Sequence, residues 1–299
     1  MLRPSATRRA AAAAAVAVTL SLAACGGADD DASDDPNGSA PADTATDMTL
    51  VPATQPSVPD VVLPESTPTE LVTTVITEGS GTPAAEGDTV FVQYVGVRSE
   101  DGTQFDTNYG GDPFPVTLGS GGVIAGWDEG LVGTTAGERL QLDIPNDKAY
   151  RDQPQGAVIQ AGDALSFVID VLAVAPAADP ATAVTQADIP TSAEKATAVE
   201  TDDVRPGDGT TLEEGMTAIF HLVAARRDDG TILQSTWDSP QPTPQPLEVT
   251  SDGLVGGLAE GLVGMQVGGR RVIVLPYDEA SGLTPETDVV IVADLLATY

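Results

Sequence analysis

The 299-residue chain has one cysteine, one histidine, 13 lysines and arginines, and aromatic side chains at only 4 % of positions. Each scarcity removes a class of chemistry. One cysteine cannot close a disulfide within the chain. One cysteine and one histidine cannot supply the N/S ligands of a Cys/His zinc site. A Ser-His-Asp triad would have to use His221, and no nucleophile elbow accompanies it. No glycine run leads into Lys-Ser/Thr, and Gly119, Gly121 and Gly122 do not complete a G-x-G-x-x-G pattern. The expectation is a protein that needs no metal and no cofactor. What is abundant is acid: 45 Asp and Glu give a formal net charge of -32. Such a surface repels phosphate backbones and argues against a nucleic-acid partner.

Arg3, Arg8 and Arg9 precede an apolar stretch from Ala10 to Leu20. The stretch is too short for a comfortable membrane span and ends in small residues, which is a secretory signal pattern. It closes on Leu22-Ala23-Ala24-Cys25-Gly26, which resembles a bacterial lipobox. Residues 1–24 are therefore expected to be a lipoprotein signal peptide, with Cys25 lipidated. Two acyl chains are enough for stable anchoring. The implied location is extracytoplasmic, lipid-anchored to the bacterial cell membrane. Residues 25–68 are rich in Asp, Ala, Pro, Ser and Thr and have little to bury, so a disordered acidic tether is expected there.

The remainder repeats itself at domain length. Asp101-Gly102-Thr103 returns as Asp229-Gly230-Thr231, and Trp127-Asp128-Glu129-Gly130-Leu131-Val132-Gly133 returns as Leu258-Ala259-Glu260-Gly261-Leu262-Val263-Gly264. A linker is expected over 176–197, placing one domain at 69–175 and another at 198–299. Within the first copy, Thr89 to Val95 is β-branched and aromatic, Arg139 to Ile144 alternates with period two, and Leu165 to Leu172 is an apolar run carrying one Asp. These read as strands. One short helix is predicted from about Ile124, with Trp127 and Leu131 on its inner face. The fold class is α+β: an antiparallel sheet against one helix, twice.

The ordered motifs of residues 69–174 are Val92-Gln93-Tyr94-Val95-Gly96, Asp101-Gly102, Phe105-Asp106, Pro113-Phe114, Val123-Ile124-Ala125-Gly126-Trp127, Ile144-Pro145, Ala149-Tyr150 and Leu165–Leu172 with Phe167. Together they resemble the FKBP prolyl isomerases, the macrolide-binding immunophilins. The resemblance implies a twisted antiparallel sheet wrapped around a short helix, with an aromatic pocket between them. It implies Trp127 as the pocket floor. Tyr94, Phe105, Phe114 and Phe167 are then the walls, with Val123 and Ile124 at one side. The Ile124 N–H and the Tyr150 hydroxyl would reach substrate carbonyls. Asp106 would lie beside the pocket, and Val158 and Ile159 in a flap loop. The implied activity is isomerisation of X-Pro bonds in secreted or membrane-associated polypeptides, with macrolides as possible inhibitors. The chain departs from the family pattern at Lys148 and Gln160, and no arginine stands between Asn108 and Asp112 to pair with Asp106.

The second copy keeps glycines and strand residues but not the aromatics. Leu222, Leu233, Gln234, Leu247, Leu258, Ser281 and Ile291 stand for Tyr94, Phe105, Asp106, Phe114, Trp127, Tyr150 and Phe167. It is expected to keep the fold and lack activity. Trp237, in the Pro-rich stretch Ser235–Pro246, is expected to pack, and His221 to be an ordinary strand residue. The competing reading of the whole is a lipoprotein chaperone or adaptor that holds extended chains through both domains.

Overall fold

A computed structural model of the chain describes residues 58–238, 242–255, 257–277 and 287–299. The signal peptide, Cys25, most of the tether and the Ser281–Leu283 segment lie outside the described residues.

The first copy is built from β1 (Val72–Thr77), β2 (Thr89–Arg98), β3 (Gln104–Thr107), β4 (Phe114–Thr117), α1 (Ala125–Gly130), β5 (Arg139–Ile144) and β6 (Leu165–Ala175). The second repeats it as β7 (Glu200–Arg205), β8 (Thr217–Arg226), β9 (Ile232–Ser235), β10 (Gln245–Glu248), α2 (Leu258–Leu262), β11 (Arg270–Leu275) and β12 (Val289–Thr298). The first sheet runs β1-β5-β6-β2-β3 with β4 also on β2; the second runs β7-β11-β12-β8-β10 with β9 also on β8. All pairings are antiparallel. The two copies therefore share one topology.

A six-residue helix has no stability of its own in water. It persists because it is pressed onto the sheet. A Cβ on Gly130 would sit 2.7 Å from Leu142 Cδ2, and one on the equivalent Gly261 would sit 2.5 Å from Ile273 Cγ2. Only glycine permits this approach, and both copies keep it. Trp127, Leu131, Leu140, Leu142, Ile144, Phe167 and Ile169 close the first core beneath α1. Leu258, Leu262, Ile273, Leu275 and Ile291 close the second beneath α2.

The outer face of each sheet is covered by the chain that precedes it. Over the first sheet, the Val62 N–H donates to Gln141 Oε1 at 3.1 Å, and Gln141 Nε2 donates to the Val62 carbonyl at 2.7 Å. Leu63 packs over Gly102. Over the second, Val184 and Ile189 are buried against Val223, Val272 and Val290. The last residues of the expected tether and much of the expected linker are thus straps on the sheets. Their apolar residues are few, but each covers a surface that would otherwise meet water.

Beneath the straps the two faces differ. In the first copy Gln141 donates to Asp143, Ser166 Oγ donates to Asp143 Oδ1 at 2.6 Å, and the Ser99 and Ser166 hydroxyls lie 2.8 Å apart. The second copy places Val272, Val274 and Val290 at the positions of Gln141, Asp143 and Ser166.

The copies meet through a small cluster of Phe91, Ala173 and Ala175 with Ile219, Leu296, Ala297 and Tyr299. Phe91 pairs with Ala173, and Ile219 with Ala297, each next to a register shift in its own sheet. Equivalent positions of two related domains face each other, as in an isologous contact.

Candidate active site

The pocket is assembled from four strands and one helix. Strand β2 places Tyr94, β3 places Phe105 and Asp106, β4 places Phe114, and β6 places Phe167, all around Trp127 of α1. Tyr94 and Trp127 meet edge to face with ring centroids 5.0 Å apart at 89°. Trp127 and Phe167 are 5.2 Å apart at 84°, and Phe105 and Phe167 are 5.6 Å apart at 85°. Phe114 lies 6.1 Å from Tyr94 and 6.3 Å from Trp127. Perpendicular contacts set the positive edge of one ring on the negative face of another. They hold the walls upright around Trp127. Trp127 and Phe167 are buried, Tyr94 and Phe105 half-buried, and Phe114 is 41 % exposed at the rim.

One glycine makes the walls possible. A Cβ on Gly96 would lie 2.7 Å from both Phe105 Cζ and Phe167 Cε1. The two rings rest on bare backbone. In the second copy the same position is Ala224, paired with Ile291, and Leu233 and Ile291 stand in place of the two rings, which leaves room for a methyl.

The polar side of the pocket is small. The Tyr94 hydroxyl donates to Asp106 Oδ2 at 2.7 Å. Burial first, then this bond and the Asp106 charge, push the Tyr94 hydroxyl well above its ordinary value. Burial and the same carboxylate also raise Tyr150. Both phenols therefore stay protonated as donors at neutral pH, and the shared influence of Asp106 marks them as neighbours. Asp106, which has no arginine partner among the described residues, takes its hydrogen bonds from Tyr94 and from the Thr107 N–H.

Ile124 caps α1 with an extended backbone, and its carbonyl accepts from the Trp127 N–H at 2.9 Å. Its own N–H has no acceptor among the described residues. Val123, Ile124, Ala149 and Tyr150 pack against the buried cluster around Trp127, and Ile159 belongs to it. Ile159 is held by a two-way bridge to Gln155 at the turn of the flap. All ten residues predicted from sequence thus touch one cluster or one another, although the sequence marked none of the supports beneath them.

Three supports stand out. Asp128 accepts from the Gly119 and Gly121 N–H groups, each at 3.1 Å, and fixes the loop that leads to Val123 and Ile124. Asn108 accepts from the Tyr94 N–H at 2.7 Å and donates to the Val92 and Asp112 carbonyls. Tyr109 donates to Asp170, which also accepts from Arg139. The signal was present in the repeat: Asp128 and Gly96 become Ala259 and Ala224 in the copy that loses its aromatics.

In the second copy, Leu222, Leu247 and Leu254 pack against the buried cluster of Leu258 and Ile291, so the positions of the ring set are aliphatic among the described residues; the one ring of that cluster, Phe220, stands where the first copy has Val92. His221 lies on β8, as expected of a strand residue. It is 2 % exposed and stacks on Trp237 at 4.2 Å and 30°, with Nδ1 3.0 Å from Thr236 Oγ1. Burial lowers its pKa, partly offset by Asp294.

Among the described residues no group of three or more His, Cys, Asp or Glu is placed to hold a metal ion. No helix among them is long and apolar enough to cross a membrane.

Comparison with known proteins agrees with this geometry. The family model for FKBP-type peptidyl-prolyl cis-trans isomerases matches residues 80–172 and again 209–291. An FK506-binding protein of Streptomyces anulatus is 43 % identical over 109 residues, which is 36 % of this chain and 88 % of that protein. Peptidyl-prolyl cis-trans isomerase FPR2 of Saccharomyces cerevisiae is 41 % identical over 96 residues, 32 % of this chain and 71 % of that protein. The chain spans 56 % of the length of Arabidopsis thaliana isomerase FKBP15-2, with 45 % identity over 92 residues. With two matched regions covering more than half of its length, the chain belongs to the FKBP-type peptidyl-prolyl cis-trans isomerase family, as a tandem pair of its domains.

Proposed function

We propose that the first copy isomerises X-Pro peptide bonds and that the second does not. The observation that carries this is the perpendicular ring set around Trp127, present in one copy and aliphatic in the other. The barrier to rotation, about 18–20 kcal/mol, comes from resonance in the C–N bond. Only X-Pro bonds hold a sizeable cis population and interconvert slowly enough to limit folding. A twisted amide has lost its resonance and with it much of its charge separation. An apolar pocket that excludes water favours that twisted form over the planar ground state.

The proline ring would rest on Trp127 between Tyr94, Phe105, Phe114 and Phe167. The Ile124 N–H, which has no acceptor among the described residues, and the Tyr150 hydroxyl would hold the flanking carbonyls. The Tyr94–Asp106 bond keeps the carboxylate away from the amide carbonyl. No proton is transferred and no covalent bond is made.

The substrates we infer are proline-containing secreted or membrane-associated polypeptides, with FK506-type macrolides as competitors for the pocket. The signal pattern and Leu22-Ala23-Ala24-Cys25 support an extracytoplasmic protein anchored through lipid on Cys25. Catalysed isomerisation of a short X-Pro peptide, lost on Trp127→Leu with the fold retained, tests the first proposal. Metabolic labelling with a fatty acid, lost on Cys25→Ala, tests the second.

A further inference from the structure

In so acidic a chain a cation finds a carboxylate easily. In the first copy Arg98 pairs with Asp163, Arg139 with Asp170, and Lys148 with Glu129. In the second copy all five arginines are paired, and Lys195 lies over the ring of Tyr277. Arg151 is the exception: no ion pair among the described residues includes it. Its only side-chain bond is from Nε to the Asp147 carbonyl, at 3.1 Å.

Arg151 is also the one non-glycine residue with positive φ among the described residues, at 57°. Glycine takes this conformation without a steric penalty, and arginine does not. The backbone is held there from both sides. The Arg151 N–H donates to the Asn146 carbonyl at 2.9 Å, and the Gly162 N–H donates to the Arg151 carbonyl at 2.9 Å. The residue follows Tyr150 directly and ties it to the base of the flap that carries Ile159. It is exposed at that rim. Strain, an unpaired charge and a place beside the pocket coincide in one residue. Strain kept beside a functional site points to use of the side chain there.

We infer that Arg151 sets substrate preference, selecting polypeptides with a carboxylate side chain close to the isomerised proline. This rests on the isomerase reading of the first copy. An isolated cation offsets, locally, the repulsion that the net charge of -32 imposes on acidic clients.

The test uses the whole chain and tetrapeptides with Glu, Gln or Lys placed in turn on either side of the proline. The kcat/KM values are compared for wild type, Arg151→Ala, Arg151→Lys and Arg151→Gly. Wild type should prefer Glu over Lys at one flank by about two- to fivefold, the range an exposed ion pair supplies. Arg151→Lys should keep the preference, Arg151→Ala and Arg151→Gly should lose it, and salt of about 1 M should erase it. Arg151→Gly should also melt higher. An unchanged Glu-to-Lys ratio in Arg151→Ala, with the Gln peptide still turned over, overturns the role of Arg151 alone. Failure of the folded wild type to turn over any of the peptides overturns the isomerase reading, and this inference with it.

Discussion

The two halves of the described chain have the same strands in the same order, yet they fill them differently. The first encloses rings on its concave side and a polar network under its strap. The second has aliphatic side chains at the positions of those rings and valines at the positions of that network. One topology therefore tolerates two interiors, and the difference separates what holds the fold from what occupies the pocket. The features common to both are structural: glycine under the helix, the strap, and the Arg–Asp pairs of the central strands. Those found in the first copy alone are Gly96, Asp128, Asp106 and the ring set.

The largest effect is expected where the copies agree in type but differ in burial. Asp294 is 4 % exposed and bound by both Arg205 and Arg270. Asp294→Ala leaves the largely buried Arg270 without its carboxylate, while the half-exposed Arg205 stays hydrated, and should cost about 3 kcal/mol. Asp170, with 18 % exposure and a single arginine, should cost clearly less on Asp170→Ala. Urea unfolding of the two variants checks the order, and equal losses would break the comparison.

Gly96→Ala should cost about 1–3 kcal/mol, because its methyl would overlap both Phe105 and Phe167. It should also lower kcat/KM by tilting the pocket walls. Ala224→Gly should cost about 1 kcal/mol or less, the ordinary penalty of glycine in a strand. Conversely, Leu233→Phe with Ile291→Phe in the second copy should be tolerated only together with Ala224→Gly, which a double-mutant cycle by thermal melting would reveal.

On the outer face, Gln141→Val alone should destabilise by about 1–3 kcal/mol, since it leaves the Val62 backbone and Asp143 short of partners. Replacing Gln141, Asp143 and Ser166 by valine together, with Ser99→Ala, should be close to neutral, as the valines of the second copy imply. A swap that costs more than the single change would show that the straps of the two copies are not equivalent.

The smallest effect is a pH dependence confined to the second copy. His221 has its pKa lowered by burial, so the unfolded chain binds more protons as pH falls. Stability is full above the unfolded value of about 6.5 and declines below it. His221→Gln, which copies Gln93, should flatten the melting temperature between pH 7 and pH 5. Equal slopes for both proteins would remove His221 as the cause.

Much of this was legible in the sequence because the pattern was written twice. Period-two alternation located β5 to the residue, and the apolar spacing placed the helix after Ile124. The ring positions followed from the family resemblance. The strand β1 was missed because Val72-Thr73-Thr74-Val75-Ile76-Thr77 is exposed throughout and shows no buried alternation. The straps were missed because one or two apolar residues in a polar stretch give no periodic signal. His221 lies on a strand as expected, but its stacking on Trp237 was not legible, because a loop brings that residue there. The conformation of Arg151 is a backbone property that composition does not encode.

The central claim is that the isomerase activity of this chain resides in the ring set around Trp127. Catalysed isomerisation of an X-Pro peptide by the whole chain, with Trp127→Leu installing the residue of the second copy, tests it most directly. The prediction is a loss of at least about tenfold in kcat/KM, roughly 1.4 kcal/mol of transition-state stabilisation, with the circular dichroism spectrum unchanged. Full activity in a folded Trp127→Leu protein would contradict it and move the activity to the second copy or to a different surface.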